Sequence, residues 1–369
     1  MGAGLALLFC KPMQETTLDQ VTALCKAQGR AGAIFASFDG WRLPKSYGKT
    51  ADEYRAARKA IALADRSHFG RLRITGADGL DLLNRLSTNR LIGMRPGEGA
   101  STVLTTNQGR IIDLLLVINR GDGLLVLTSP QTPARVAEWI DLYTFGEDIA
   151  VADVTEETAL LSLIGPGAGE LLGPEASALG LYGTAQVSLQ GLQVPIIRTD
   201  AQGIAGYDLL TPASRAEEVW EALLQAGAAP VGENALEMLR VEQGVPRYGR
   251  ELGEDFNPLE AGLTSSISFD KGCYIGQEVV LRLNTYKKVQ RHLKGIVLEE
   301  GRPAPGARLE VDGKDVGFLT SVVESPLLGR TLALGYVRAA HAPAGQDIGV
   351  RSGEHLAPGK VLDLPVGRV

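Results

Sequence analysis

The order in which short apolar strands and amphipathic helices follow one another, and its recurrence along the chain, constrains this protein more than any single motif does. In the first pass a strand at Arg71–Thr75 leads into a helix from Asp78 to Leu86, and strands follow at Ser101–Thr106 and Ile111–Ile118. A turn at Asn119–Gly123 and a strand at Leu124–Thr128 come next. A helix capped by Thr132, with Pro133 in its first turn, then runs to about Tyr143, and a strand at Ile149–Ala152 closes the unit. The second pass repeats that order, starting at Ala159 where the first started at Arg71. Strand Ala159–Ile164 meets a short helix ending at Leu172. Strands Ala185–Leu189 and Gln193–Arg198 are joined by a Gln190-Gly191 turn. Strand Tyr207–Leu210 precedes a helix from near Pro212 to Gly227, and Val231 marks a closing strand. No literal sequence repeat accompanies this. The recurrence predicts two related α+β units of split-βαβ, ferredoxin-like character, each a sheet with helices on one face.

The rest of the chain reads around those units. Glu15–Gln28 has helical spacing with Gly29 as its stop, Gly40–Gly48 reads as a Pro- and Gly-rich loop, and Asp52–Leu63 reads as a helix. The tail Ala64–Gly70 then opens the first strand. Glu233–Gln243 is a further helix stopped by Gly244, and the polar stretch from there to Lys271 is long for a connection. After Arg291 six short strands recur without a helix: Leu293–Leu298, Arg308–Val311, Val316–Val323, Leu332–Val337, Ile348–Arg351 and Val361–Leu364. Asp312-Gly313 is a hairpin signal between two of them. That spacing predicts a small β-barrel or sandwich.

Charge and cysteine usage exclude some classes. A net charge of -6 and a pI near 5.4 speak against a bulk polyanion partner such as duplex DNA. Cys10, Cys25 and Cys273 are odd in number and lack C-x-x-C spacing, which fits a reducing cytoplasm better than a disulfide framework. His68, His292, His341 and His355 lack ligand spacing, so no metal site is expected. Met1–Cys10 is apolar but has no basic flank and is cut short by Lys11-Pro12, so it reads as neither signal peptide nor membrane span. Gly165-Pro166-Gly167-Ala168-Gly169 is a partial dinucleotide-loop match with Glu170 at the last position, and ordinary strand-to-helix punctuation explains it better.

Four stretches carry candidate chemistry. The octet Lys271-Gly272-Cys273-Tyr274-Ile275-Gly276-Gln277-Glu278 puts a thiol between two glycines beside a lysine. The glycines permit a tight, exposed loop, and a neighbouring ammonium would favour the thiolate. The plain alternative is a small buried apolar cysteine. Asn107–Asp113 carries Asp113 into an aliphatic strand, either as an outward-facing residue or as a carboxylate poised in a cavity. Arg240, Glu242, Tyr248 and the acidic residues Glu251, Glu254, Asp255 and Glu260 form a third group. Arg282–Lys294 is the basic cluster: a solvated face, a docking surface for a polyglutamylated tail, or an RNA contact.

Taken together these residues resemble the YgfZ-type folate-binding proteins, relatives of the glycine cleavage T-protein (aminomethyltransferase), along nearly the whole chain. The octet carries the YgfZ likeness. Phe38-Asp39-Gly40-Trp41 with Pro44 and Tyr47, and Val316–Ser321 with Ser325-Pro326, carry the T-protein likeness. The resemblance implies three domains in a ring around a central folate channel. The first, discontinuous domain is expected at 31–56 and 155–265, the inserted one at 57–154, the cysteine-motif linker at 266–290 and the barrel at 291–369. It further implies that Asp113 stands near the reacting nitrogen of tetrahydrofolate, that Asp208 grips the pterin ring edge, and that Arg240 and Tyr248 are folate contacts. Leu114 departs from the T-protein's second aspartate, and Asp208 is shorter than its glutamate. The resulting expectation is a cytoplasmic tetrahydrofolate-binding protein supporting iron–sulfur cluster assembly or repair through Cys273, with assembly proteins or client enzymes as partners. A tetrahydrofolate-dependent aminomethyltransferase or related one-carbon transferase with Asp113 as acid/base is the alternative, and a nucleic-acid-binding module is a distant third.

Overall fold

The structure is a computed structural model that describes residues 19–200 and 203–367. It opens with α1 (Cys25–Arg30), shorter and later than the helix expected at Glu15–Gln28, whose first four residues fall outside the described range. The stretch read as a loop, Gly40–Gly48, instead holds a strand that forms a hairpin with the one before it: β1 (Ile34–Phe38) and β2 (Trp41–Ser46). Its two-residue turn is Asp39-Gly40, with φ of 51° and 83°, the twist that lets two strands close tightly. Next come α2 (Thr50–Lys59) and β3 (Ala62–Asp65). The helix was expected to run to Leu63. It ends early because all four residues of β3 are buried and hydrogen-bond into a sheet.

The first unit comprises β4 (Gly70–Thr75), α3 (Gly79–Leu86), β5 (Gly99–Thr105), β6 (Ile111–Asn119), β7 (Leu124–Thr128), α4 (Pro133–Leu142) and β8 (Ala150–Asp153). Its sheet has the order β5-β6-β7-β4-β8, antiparallel throughout. The second unit comprises β9 (Thr158–Ile164), α5 (Ala168–Leu172), α6 (Pro174–Ser177), β10 (Thr184–Leu189), β11 (Leu192–Thr199), β12 (Gly206–Pro212), α7 (Ala216–Gln225) and β13 (Ala229–Pro230). Its order is β10-β11-β12-β9-β3-β13. The two orders match strand for strand once β3 is set aside. β3 lies before the first unit in sequence, yet it slots between β9 and β13. The sheet of the inserted unit therefore runs from Gly70 to Asp153, and the segment from residue 57 to Asp65 belongs with the other sheet. Each unit has one strand more than a four-stranded ferredoxin-like sheet.

Strand alternation decides which faces meet. In β9 and β12, Leu161, Leu163, Tyr207 and Leu209 pack under the helices of the second unit with Trp220 and Leu223. In β6 and β7, Leu115, Val117, Leu124 and Val126 pack under α3 and α4 with Leu83 and Trp139. The opposite faces, with Leu125, Leu127, Leu160, Ile197 and Leu210, pack against each other. The order of layers is thus helix, sheet, sheet, helix. Arg71 is fully buried where the chain crosses between the units. It donates to Thr158 Oγ1 (2.6 Å) and to the carbonyls of Phe69 (2.5 Å), Ser67 (3.1 Å), Thr158 (3.0 Å) and Thr155.

Then come α8 (Glu233–Gln243), which Gly244 ends in the left-handed conformation as expected, and α9 (Gln277–Thr285), a helix inside the stretch expected to be linker. A closed six-stranded barrel follows: β14 (Arg291–Leu298), β15 (Arg308–Val311), β16 (Lys314–Ser325), β17 (Arg330–Arg338), β18 (Asp347–Ser352) and β19 (His355–Leu362). Asp312-Gly313 makes the tight turn between β15 and β16. Among the described residues no helix is long and apolar enough to cross a membrane.

Candidate functional site

A cavity of about 210 Å³ lies between the two sheets, roofed by α8 and the loop after it. Leu114, Leu116, Leu127 and Thr128–Pro130 line it from the first unit, and Arg66, Phe69, Leu160, Ser162 and Asp208 from the second. Glu233, Leu236, Glu237 and Arg240 of α8 and Val245–Tyr248 complete the wall. The mix of apolar walls and a few converging polar groups is that of a small-molecule site.

Asp208 is on the cavity face of β12 because it alternates with Tyr207 and Leu209, which belong to the helix-covered core. Its Oδ1 accepts a hydrogen bond from Ser162 Oγ, directly across on β9. No other donor reaches it among the described residues, and burial raises its pKa to about 6 against that bond and the Arg66 charge. It is a desolvated carboxylate with acceptor capacity left over, facing a space.

Asp113 has the opposite placement. It shares strand parity with Leu115 and Val117 and turns toward α4, away from the cavity, while Leu114 lines the wall. Ser129 N (2.8 Å), Ser129 Oγ (2.7 Å), Thr132 Oγ1 (2.5 Å) and Leu114 N (2.9 Å) all donate to it. Its pKa is also raised by burial to about 6, opposed by those bonds. Its lone pairs are engaged, so it shapes the wall by holding the Ser129–Thr132 turn and does not itself line the cavity.

Arg240 lines the cavity, but its five N–H donors are all engaged. Nε and Nη2 fork onto Glu237 (2.6 Å each), Nη2 also meets Ser321 Oγ (2.5 Å), and Nη1 meets Glu251 (3.1 Å) and the Val245 carbonyl (3.2 Å). It ties α8 to the barrel strand β16. The expected direct folate contact has no donor to work with. Tyr248 does line the cavity, half-buried, with its pKa raised by burial and by Asp113.

The cysteine octet sits elsewhere. Cys273 is exposed and does not line the cavity. Lys271 does not face the thiol. Its buried Nζ donates to the carbonyls of Asn84 (2.6 Å) in the last turn of α3 and of Ser87 (2.8 Å) and Asn89 (2.6 Å) just past it, and burial lowers its pKa to about 8. The expected thiolate activation by Lys271 is replaced by a helix-end clamp, because three carbonyls outcompete a solvated thiol for the ammonium. Gly272 has ordinary backbone angles and open space where a Cβ would be, so only Gly276 is dictated by geometry. Gly276 has φ of 83°, and a Cβ there would lie 2.5 Å from the Thr106 carbonyl. Ile275 is bonded through N–H to the Arg85 carbonyl (3.0 Å) and through its carbonyl to Thr105 Oγ1 (2.7 Å). Tyr274 is buried, Gln277 donates to the Gly272 carbonyl (3.3 Å) and Glu278 is exposed at the start of α9. In the basic cluster, Arg291 lies beside the stacked pair Phe256 and Tyr336 and pairs with Glu260 (3.3 Å), and Lys294 pairs with Asp363 (2.6 Å). Gly165 and Gly167 press against Ala60 and Ile61 in strand-to-helix packing.

Arg66, Phe69, Ser162 and Glu233 were not anticipated as cavity residues. The signal for Arg66 was present: alternation places it with Ala62 and Ala64 on one side of an apolar strand.

A fold with two duplicated α+β sheets, a cavity between them and a terminal six-stranded barrel defines a class, and comparison names it. The GCVT N-terminal domain family matches residues 24–271, and the glycine cleavage T-protein C-terminal barrel domain matches residues 291–366. The chain therefore belongs to the glycine cleavage T-protein family. It is 34% identical over 360 residues to an aminomethyltransferase of Geobacillus kaustophilus, covering 94% of this chain and 98% of that one. It is 32% identical over 356 residues to an aminomethyltransferase of Halothermothrix orenii, covering 93% and 99%. The crystal structure of the glycine cleavage system aminomethyltransferase T from Bartonella henselae superposes with a TM-score of 0.85 at 22% identity, over 94% of this chain and 97% of that one, which bears on the fold. These relatives speak for the T-protein family as a whole and do not single out its YgfZ branch.

Proposed function

We propose that this protein binds a reduced folate, tetrahydrofolate or a derivative, in the central cavity and uses it as a one-carbon carrier. The observation that carries the binding is Asp208: a buried carboxylate with one internal hydrogen bond, facing the space between the sheets. An amino-pyrimidinone edge offers adjacent N–H donors, and a carboxylate is the acceptor that suits them. Leu114, Leu116, Leu127 and Phe69 give a flat ring apolar walls and exclude water from it. When bound, tetrahydrofolate supplies the amine nitrogens that accept a one-carbon unit. The chain's own contribution is to bind, orient and desolvate. Asp113 has no part in that at contact distance. The names of the curated relatives favour transfer as the use of the folate.

A second reading rests on a different observation. Cys273 is held exposed on a loop that Lys271, Ile275 and Gly276 seat firmly against the first unit, apart from the cavity. A thiol presented in that way suits YgfZ-type support of iron–sulfur assembly, with the cluster as cargo for client proteins. Calorimetric titration with tetrahydrofolate tests the common ground. Binding should survive Cys273→Ala and fall at least about tenfold in Asp208→Ala; absence of binding by the wild type overturns it. Incubation with tetrahydrofolate and an aminomethyl-loaded lipoyl carrier, or a methylated amine, then separates the readings. Methylene-tetrahydrofolate should form. Intact binding without product, together with loss of cluster-dependent client activity in Cys273→Ala, would transfer the function to the second reading.

A further inference from the structure

Among the described residues the two buried arginines, Arg71 and Arg240, are saturated, whereas Arg66 and Arg247 on the cavity wall each make a single side-chain hydrogen bond. Arg71 makes five hydrogen bonds at the unit crossing, and Arg240 engages every donor it has. Arg66 lines the cavity with a side chain only 13% exposed and engages a single N–H, from Nη1 to Glu233 Oε1 at 2.9 Å. Its guanidinium lies over the Phe69 ring, 4.4 Å from the centroid. No other side-chain hydrogen bond to Arg66 is formed among the described residues. Its remaining guanidinium donors open onto the cavity and are free to meet an acceptor there.

The sheet places Arg66 relative to Asp208. Ser162 is directly across from Asp208, and Leu160 lies two residues along the same face of β9. The backbone amide of Arg66 donates to the Leu160 carbonyl at 2.8 Å. Asp208, Ser162, Leu160 and Arg66 therefore step diagonally across one sheet face, roughly two strand spacings across and two residues along, a backbone separation of about 12 Å. The two charges share the cavity wall, yet no ion pair forms between them within 4.0 Å. A flat ring laid over Leu160 would meet an acceptor at one side and a donor at the other.

We propose that Arg66 is the second polar contact of the ligand and donates to the 4-oxo oxygen of a pterin while Asp208 accepts from its N–H donors. The assignment rests on the folate reading above and deepens it. It makes the cavity selective for 2-amino-4-oxo heterocycles. A 2,4-diamino ring turns a donor toward Arg66 and leaves both groups unsatisfied, a mismatch of the kind that polar sites reject strongly. Arg66 thus acts as a specificity-determining residue.

Calorimetry with tetrahydrofolate and its 4-amino counterpart tests this on the intact protein. The wild type should prefer the 4-oxo compound by about 100-fold. Arg66→Met combined with Glu233→Gln, which removes the donor without stranding a carboxylate, should reduce that preference at least about tenfold, mainly through weaker binding of tetrahydrofolate. Arg66→Lys keeps the charge and the Glu233 partner but loses the planar fork, and its preference should fall in between. Arg66→Lys carries the test by itself if the double variant does not fold. A preference unchanged within about twofold in variants that still bind tetrahydrofolate overturns the Arg66 assignment alone. A wild type that binds neither compound overturns the folate reading, and this assignment with it.

Discussion

Asp113 and Asp208 are the same side chain, both buried and both drawn up to a pKa of about 6 by desolvation, yet they face different tasks. The oxygens of Asp113 are satisfied by four donors from the Ser129–Thr132 turn and Leu114, whereas Asp208 has one. Asp113→Ala should therefore lower stability by about 2–4 kcal/mol in denaturant titration, because it strands buried hydroxyl and amide donors. Asp208→Asn should do the reverse in the ligand-free protein. Holding that carboxylate ionised at pH 7 costs on the order of 1–3 kcal/mol, and the amide removes the charge. A carboxyl whose folded pKa is raised stabilises fully below its unfolded value near 3.8, and that contribution is lost as pH rises through about 6. The wild type's melting temperature should thus carry a destabilising component between pH 4 and 6 that Asp208→Asn lacks. Folate affinity should fall in the same variant.

At the scale of elements, the cysteine loop is a docked hook whose lysine serves the first unit. Lys271→Met removes three charge-assisted bonds to the carbonyls at the end of α3 and just beyond it, and should destabilise by about 2–4 kcal/mol. Because the ammonium is engaged by those carbonyls, the rate of Cys273 alkylation by iodoacetamide should stay within about twofold of the wild type in the folded variant. A rate lowered several-fold by the variant would restore Lys271 to the role of thiolate partner. The hook was half legible beforehand. Gly276 was marked as a position needing glycine, and the approach of the Thr106 carbonyl is the reason. The direction of Lys271 was not legible, since its partners are almost two hundred residues earlier in the chain.

For the whole molecule, α8 is the bracket between the duplicated sheets and the barrel. Arg240 reaches Ser321, and Glu242 accepts from Tyr54 Oη (2.6 Å), Ser325 Oγ (2.5 Å) and Leu327 N (3.1 Å). Arg240→Met should leave buried Glu251 without its cation and Glu237 with Arg250 alone at bonding distance, cost about 3–5 kcal/mol, and split thermal unfolding into two transitions as the barrel uncouples from α8. A single cooperative transition with little loss of stability would mean that Arg240 is free to serve the ligand instead.

The duplicated order of elements, the α8 stop at Gly244 and the six barrel strands follow from local information, since periodicity, turn residues and alternation act over a few residues, whereas the choice of Asp208 rests on the family resemblance. Alternation even contained the difference between the two aspartates, since Asp113 shares parity with Leu115 and Asp208 with Leu210. Only the tertiary structure decided which parity means cavity and which means helix, because that depends on the two sheets packing by their uncovered faces. It also decided that β3 crosses into the second sheet, that Arg240 is saturated, and that Arg66 is not. Each of those outcomes is a competition between partners distant in sequence, and local chemistry carries no information about who arrives.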